Sequence, residues 1–151
     1  MKKSHVNKTK GFTLVELLVV VTIISVLASI AAVSYSRFIK QSRDARRKTD
    51  IEQVRAAIEL FRNFNGAYPT SQASPGLAFG VGALNDAAAV PTIQYMSKIP
   101  ADPMPTPYKY YYTSTGSTYS LCVYLEGGGT ASAYSCGTNS CNYCMGPYGQ
   151  L

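Results

Sequence analysis

The strongest constraint on the fold is an apolar run near the beginning of the chain. Residues 12–33 contain a single charged side chain, Glu16, and otherwise only apolar or hydroxyl side chains. At about 1.5 Å per residue, a helix of this length crosses a hydrocarbon layer of about 30 Å. A secretory signal peptide would have a shorter apolar stretch, followed by a small-residue cleavage site. The run therefore predicts one membrane-spanning helix.

Glu16 is the residue that such a helix has to accommodate. An ionised carboxylate near the middle of a membrane helix costs about 2.5 to 3.5 kcal/mol on insertion scales. One interpretation is that a cation in the same layer neutralises the carboxylate, since a buried charge needs a partner. The other interpretation is that the side chain simply reaches toward the edge of the membrane.

Length and charge limit the remaining possibilities. A chain of 151 residues accommodates one domain of ordinary size in addition to an anchor. Four lysines precede Gly11, whereas the chain from Phe12 onward has ten Lys or Arg against eight Asp or Glu. The net charge of +6 therefore reflects mainly a short basic leader, and it predicts no nucleic-acid partner.

The helical pattern continues beyond the apolar run. Neither Gly nor Pro occurs between residues 12 and 64. Apolar side chains recur at spacings of three and four at Ile51, Val54, Ile58 and Phe61. This spacing predicts an amphipathic second half of the helix over residues 34–64. The Asn-Gly pair that follows predicts the end of the helix.

Six basic side chains follow the apolar run within residues 37–48. They are Arg37, Lys40, Arg43, Arg46, Arg47 and Lys48. A solvated helix face and a contact with anionic lipid head groups are both compatible with them. Counting basic residues on the two sides of the span, four before and six after, favours a C-terminal domain inside the cell.

The remainder of the chain, residues 65–151, has the composition of a β-rich head domain. Tyrosines alternate with other residues from Tyr108 to Tyr112, and apolar residues alternate with polar ones from Tyr119 to Glu126. A Ser-Thr-Gly-Ser turn separates the two stretches, so they predict a β-hairpin. Residues 87–96 predict a short helical or irregular segment. The expected fold is α+β, a long N-terminal helix packed on a small antiparallel sheet.

Four cysteines lie within the last 30 residues: Cys122, Cys136, Cys141 and Cys144. In an exported domain an even set of cysteines indicates disulfides, with three possible complete pairings. A redox role for the C-x-x-C pair Cys141 and Cys144 would require a βαβ unit, which the sequence does not indicate. A four-cysteine zinc site would ordinarily have a second C-x-x-C. A membrane-anchored exported domain that uses Cys141 and Cys144 for thiol chemistry or metal binding is the alternative function.

The sequence offers little for catalysis. Its single histidine, His5, lies in the leader, and only Asp86, Asp102 and Glu126 supply carboxylates after residue 64. General acid–base and nucleophilic catalysis both depend on such groups. We therefore expect no catalytic residues, no metal site and no cofactor. The alternating tyrosines predict half-buried sheet packing, with a ligand-binding face as the other possibility.

The segment Lys10-Gly-Phe-Thr-Leu-Val-Glu16 resembles the processing signal of type IV pilins and type II secretion pseudopilins. Those proteins have a short basic leader that ends in Gly, then a Phe, and then a Glu four residues later. The resemblance is specific from Lys10 to about Ala32. A weaker similarity to the major pseudopilin branch covers residues 68–70 and 95–112, and none extends into the cysteine-rich end.

The resemblance implies a pilin-like fold and a structural role in a type IV pilus or a type II secretion pseudopilus. It implies that a prepilin peptidase removes residues 1–11 by cleaving between Gly11 and Phe12, and that the new amine of Phe12 is methylated. It also implies that Phe12 and Glu16 act together in assembly, with the amine of one copy meeting the carboxylate of a neighbour.

The resemblance further implies a location and partners. The N-terminus lies in the cytoplasm, the helix crosses the cytoplasmic membrane once, and the head is exported into a periplasmic or cell-surface filament. The expected partners are the peptidase, other copies and related pilins, the membrane, and an inner-membrane platform with its ATPase. Pseudopilins of the major branch bind calcium near the C-terminal end, but this end has too few carboxylates for us to expect it here.

Overall fold

A computed structural model describes residues 11–70, 77–86 and 89–151. Its main element is the helix α1, Leu14–Asn65. The described chain divides into two compact units between Ile39 and Lys40. The first unit holds the beginning of α1, and the second, which we call the head, holds the rest of α1 and all strands.

In the first unit the helix has a long apolar stretch whose side chains are exposed. α1 contains an 18-residue window that is long and apolar enough to cross a membrane, and none of that window is buried. From Leu14 onward the predicted span therefore has the helical conformation that lipid requires, because a helix pairs its backbone groups within the same segment.

In the head, α1 contributes a buried stripe and then ends where the sequence predicts. Ile51, Val54 and Ile58 are fully buried, and Phe61 packs at the edge of the same core. The helix ends at Asn65, and Gly66 follows with a φ of +74°. A residue in this left-handed region is the usual helix stop and strongly favours glycine.

Six short strands complete the described part of the head. They are β1 Leu84–Asp86, β2 Ile93–Met96, β3 Tyr111–Ser114, β4 Tyr119–Val123, β5 Tyr143–Gly146 and β6 Gly149–Gln150. β1 and β2 form an antiparallel pair, and the other four form an antiparallel sheet in the order β3-β4-β5-β6. The α+β architecture predicted from the sequence is confirmed.

The predicted hairpin is confirmed as β3 and β4. Ser114 pairs with Tyr119 across the turn, and Tyr111 pairs with Cys122 at the open end. The prediction of a helical or irregular segment over residues 87–96 is wrong for residues 93–96, which form β2, while residues 87 and 88 lie outside the described residues. Isolated two-stranded pairs leave little periodicity to recognise, and β2 is held by its partner β1 and by the contact of Tyr95 with Phe61.

The two sides of the larger sheet are covered differently. Tyr110, Tyr112, Tyr119, Leu121, Val123 and Met145 belong to the core that includes the stripe on α1. The other side is covered by the chain between β4 and β5, whose two cysteines and two tyrosines pack against Cys122, Cys144 and Tyr111 of the strands. Gly137 lets this segment approach closely, since its φ is +92° and a Cβ there would collide with the carbonyl of Pro107.

Candidate functional site

The predicted processing residues precede the helix. Gly11, Phe12 and Thr13 are outside α1, and the side chain of Phe12 is 85% exposed. A Cβ built on Gly11 would have no neighbouring atom within 4 Å. The peptide bond between Gly11 and Phe12 is therefore in an open, non-helical segment, which is the kind of backbone that a processing enzyme can approach.

Glu16 folds back onto the beginning of its own helix. The amide and hydroxyl of Thr13 donate to Glu16 Oε2 at 2.9 and 2.7 Å, and the amide of Glu16 donates to Thr13 Oγ1 at 3.2 Å. This reciprocal pattern is a capping box, which satisfies helix donors that otherwise have no partner. The capping role is a local function for Glu16 that the sequence analysis missed, although the spacing Thr-x-x-Glu carries the signal.

A cluster of charged side chains in the head surrounds Arg47, whose side chain is completely buried. Its guanidinium donates to both oxygens of Asp102 at 2.8 and 2.9 Å. It also donates to Asp44 at 2.8 Å and to Glu126 at 2.9 Å. The ring of Tyr108 lies 5.0 Å from the guanidinium carbon. A buried arginine needs this many partners, because each unpaired donor would lose its hydration without replacement.

Arg43 extends the cluster toward the surface. It forms a two-pronged bond with Glu126 at 2.7 and 2.6 Å, and Asp44 accepts from the backbone amides of Glu126 and Gly127. The Arg43 guanidinium, helped by Arg47 and opposed by partial burial, lowers the pKa of Glu126 to about 2. Burial alone would lower the pKa of Arg47, but its bonds to Asp102 and Glu126 outweigh burial and raise it. Glu126 and Arg47 are therefore charged at neutral pH, and their bonds attach α1 to the loop after β4.

This ion cluster was not predicted from the sequence. The sequence predicts a solvated face or a lipid contact for the six basic residues, but Arg43 and Arg47 instead bind carboxylates of the head. Their partners Asp102 and Glu126 lie 55 and 83 residues away from Arg47 and Arg43 respectively, so no local pattern links them. A pair of arginines four apart that flanks an aspartate is the only local hint.

The four cysteines form two disulfides. Cys122 and Cys144 face each other across β4 and β5, and Cys136 bonds to Cys141. All four are buried, and no free cysteine occurs among the described residues. The chain thus uses its cysteines to close the second side of the sheet, which has few aliphatic residues to do so.

The tyrosines act mainly in packing. The Tyr110 hydroxyl donates to Asp50, and the Tyr112 hydroxyl donates to the carbonyl of Pro69, each at 2.8 Å. Burial raises the pKa of Tyr112 to about 12, and burial together with the bond to Asp50 raises the pKa of Tyr110. Tyr111 stacks on Tyr134 with ring centres 4.9 Å apart. Within the described ranges no three metal-ligating side chains are arranged to hold a metal ion.

A capped, exposed apolar helix that continues into a small antiparallel head defines a pilin-like subunit. The comparisons with known proteins agree with this class. The profile of the prokaryotic N-terminal methylation motif matches residues 6–32, and the profile of type II secretion system protein G matches residues 35–133. The chain belongs to the type II secretion system protein G family.

Individual relatives give the same result. The type II secretion system core protein G of Pseudomonas aeruginosa is 30% identical over 76% of this chain and 82% of its own length. The core protein G of Escherichia coli is 29% identical over 64% of this chain and 68% of its own length. The type IV major fimbrial protein FimA of Dichelobacter nodosus is 48% identical over 33% of this chain and 32% of its own length. No solved structure matches the chain.

These findings give the chain its function in general terms. Its relatives are subunits of the type II secretion system and of type IV fimbriae, and the protein is a structural subunit of the pilus and pseudopilus class.

Proposed function

We propose that the chain is a pseudopilin, which is anchored in the cytoplasmic membrane and is then drawn into a filament that serves secretion. The observation that carries this proposal is the helix surface of the first unit, where large apolar side chains are exposed and none of the apolar window is buried. Such a surface is stable only when lipid or other apolar helices cover it.

The proposed maturation follows the processing signal. Residues 1–11 are the leader, a prepilin peptidase cleaves between Gly11 and Phe12, and the new amine of Phe12 is methylated. Residues 12–33 are the membrane and assembly segment, residues 34–64 are the amphipathic half of the helix, and residues 65–151 are the β-rich part of the exported head. The match of the methylation motif to residues 6–32 supports this division at its N-terminal end.

In the filament, Glu16 has a second role beside helix capping. Its carboxylate meets the amine of Phe12 from a neighbouring copy, so that two charges that are costly in an apolar layer neutralise each other. An inner-membrane platform and an ATPase supply the work of extracting the subunit. The N-terminus is cytoplasmic and the head is exported, which agrees with two disulfides in the head.

The count of basic residues on the two sides of the span favours the opposite orientation, but ion pairs in the folded head reduce the difference. Arg43 and Arg47 are neutralised by Asp44, Asp102 and Glu126, so four of the six basic residues after the span remain without carboxylate partners among the described residues. That number equals the count of lysines before Gly11.

A type IV pilus is the second candidate, because the chain resembles fimbrial proteins at higher identity. Those matches, however, cover 33% to 46% of the chain, whereas the profile of protein G covers most of the head. The head therefore favours the secretion filament.

The test uses three substitutions in the apolar run. Glu16→Leu removes both the charge and the cap, Glu16→Gln removes the charge but keeps a side chain that can cap, and Thr22→Leu adds a similar apolar group elsewhere. We expect all three proteins to be inserted and cleaved, since each change lowers or preserves the cost of insertion. Only Thr22→Leu should give sheared filaments at the normal level.

The outcomes separate the roles of Glu16. Normal filaments from Glu16→Gln but none from Glu16→Leu would mean that capping, not charge, is the contribution of Glu16 to assembly. Normal filaments from both would contradict an assembly role altogether. Normal removal of eleven residues from a Gly11→Leu variant would contradict the proposed cleavage site.

A further inference from the structure

Glu52 differs from every other carboxylate of the head, because its side chain is available to a partner. Asp44, Asp102 and Glu126 bind Arg43 and Arg47, Asp50 accepts from Tyr110, Glu59 accepts from Tyr68 and Tyr119, and Asp86 is also engaged. The side chain of Glu52 is 53% exposed and has only a loose contact of 3.6 Å with Arg55.

Arg46 is the matching cation on the same helix. It is exposed, and in the described part of the chain it has no ion-pair partner. Six residues separate Arg46 from Glu52, which corresponds to about 9 Å along the axis and about 120° around it. The two charges therefore lie on opposite flanks of the exposed helix face.

The surface between these flanks carries no charge. Ala45, Thr49, Gln53 and Ala56 occupy it, and all four are exposed. Side chains of this size and polarity let a second helix approach closely. A heterologous contact between identical copies needs two different, complementary patches. This helix face offers them, because it has a cation on one flank and an anion on the other, with a neutral surface between them.

We propose that Arg46 of one copy pairs with Glu52 of a second copy in the filament, with the two helices parallel and staggered by about 9 Å. This inference rests on the proposed function, since it identifies the neighbour as another copy of the chain. It assigns to the head a contact that fixes the register between copies.

The N-terminal pairing gives a separate estimate of the same stagger. If the amine of Phe12 meets Glu16 of a neighbour, the two copies are displaced along the helix axis by the distance between these residues. That distance is about 8 Å, from one residue in extended conformation and three in the helix. In both pairs the acid comes after the cation in sequence, so both displacements have the same direction. The two proposed pairs therefore require displacements of similar size along the helix.

Lys48 provides a comparison, because it is also an exposed cation near Glu52. It is only four residues before Glu52, which is about 6 Å along the axis and about 40° around it. Lys48 and Glu52 thus lie on the same flank, and a neighbour that presents Glu52 to one flank cannot bring it to Lys48 in this register.

Cross-linking of the full-length protein in cell-surface filaments tests the contact directly. The doubly substituted chain Arg46→Cys with Glu52→Cys should give a ladder of covalent multimers with a short bismaleimide reagent, because every copy offers both sites. Each single variant, and the control pair Lys48→Cys with Glu52→Cys, should remain monomeric. The four native cysteines are already in disulfides and do not react.

A charge exchange tests whether the pair contributes to assembly. Arg46→Glu or Glu52→Arg alone should reduce the filament yield roughly fivefold or more, since a repulsive pair replaces an attractive one at every contact. The exchanged chain, Arg46→Glu with Glu52→Arg, should recover most of the yield. The matched control Lys48→Glu should assemble nearly as the native chain does.

These results distinguish this contact from the proposed function as a whole. Normal filaments without an Arg46–Glu52 ladder, or an exchange that does not restore yield, would overturn the contact while leaving the pseudopilin proposal intact. A native chain that forms no filament in an assembly-competent cell would overturn the pseudopilin proposal, and the contact with it.

Discussion

The two parts of α1 differ in the exposure of their apolar side chains. Before the division at Ile39 they face outward, and Ile30 is 62% exposed. After it they face the strands of the head, and Ile58 is completely buried. The first part of the helix therefore has an apolar surface that lipid or other chains have to cover. The second part buries its apolar side chains in the core of its own head.

The polar residues show the same difference. In the head, Arg47 is buried but has carboxylate partners from α1 and from two distant loops. In the first part, Glu16 has only the amide and hydroxyl of Thr13, and no cation of the described chain pairs with it. A charge that is satisfied within its chain indicates a structural role, whereas a charge that lacks a counterion suggests an external one.

The largest effect that we expect comes from Arg47→Met. The substitution replaces the arginine by an unbranched apolar side chain that can fill much of the same space. It leaves three carboxylates without their shared cation. Removing one member of a buried ion pair typically costs about 3 to 5 kcal/mol. Chemical unfolding of the full-length protein in detergent, followed by near-ultraviolet circular dichroism of the head tyrosines, measures the loss. A change below 1 kcal/mol would mean that the cluster is not important for head stability.

A matched pair of isoleucines tests the comparison most directly. Ile58→Ala should lower the free energy of unfolding of the head by about 2 to 5 kcal/mol, because it leaves a cavity in the core. Ile30→Ala should leave that free energy unchanged, since Ile30 has no part in the core of the head. The same unfolding experiment checks both variants. Equal losses in both would show that the two parts of the helix are not energetically distinct.

Removal of one disulfide should have a similar or slightly smaller effect. We expect Cys136→Ser with Cys141→Ser to cost about 2 kcal/mol, because the loop closed by this pair is short, with a sequence separation of 5. Cys122→Ser with Cys144→Ser should cost more, since its separation is 22. Thiol titration of the unfolded native chain without reductant should detect no free thiol, and four titratable thiols would contradict the pairing.

Much of the fold was predictable because its signals are local. The apolar run, the stripe from Ile51 to Phe61, the Asn-Gly stop and the β3–β4 hairpin each depend on residues near one another in sequence. β1, β2, β5 and β6 were not predicted, because strands of two to four residues have too little periodicity to identify. Their positions depend on pairing partners and, for β5, on a disulfide to β4.

The candidate sites were also predictable only where their signals are local. The processing signal and the capping box are local patterns, although only the first was recognised. The Arg47 cluster joins α1 to Asp102 and Glu126, and only the tertiary structure brings these residues together. Which of three disulfide pairings forms also depended on the register of β4 and β5, where Cys122 and Cys144 are directly opposite.

The last and smallest effect concerns pH and the two glutamates Glu126 and Glu16. In the folded head the pKa of Glu126 is lowered from 4.5 to about 2 by Arg43 and Arg47. Because the pKa of Glu126 is lower in the folded state, the contribution of Glu126 to stability is complete above about pH 4.5 and is lost as the pH falls toward 2.

The melting temperature of the native chain should therefore exceed that of Glu126→Gln by a constant amount near neutral pH, and the difference should shrink between pH 4.5 and 2. Glu16→Gln should leave the melting of the head unchanged at every pH, because Glu16 belongs to the first unit and its bonds are to Thr13. A difference between the native chain and Glu126→Gln that persists unchanged to pH 2 would mean that Glu126 is not held as an anion by the two arginines.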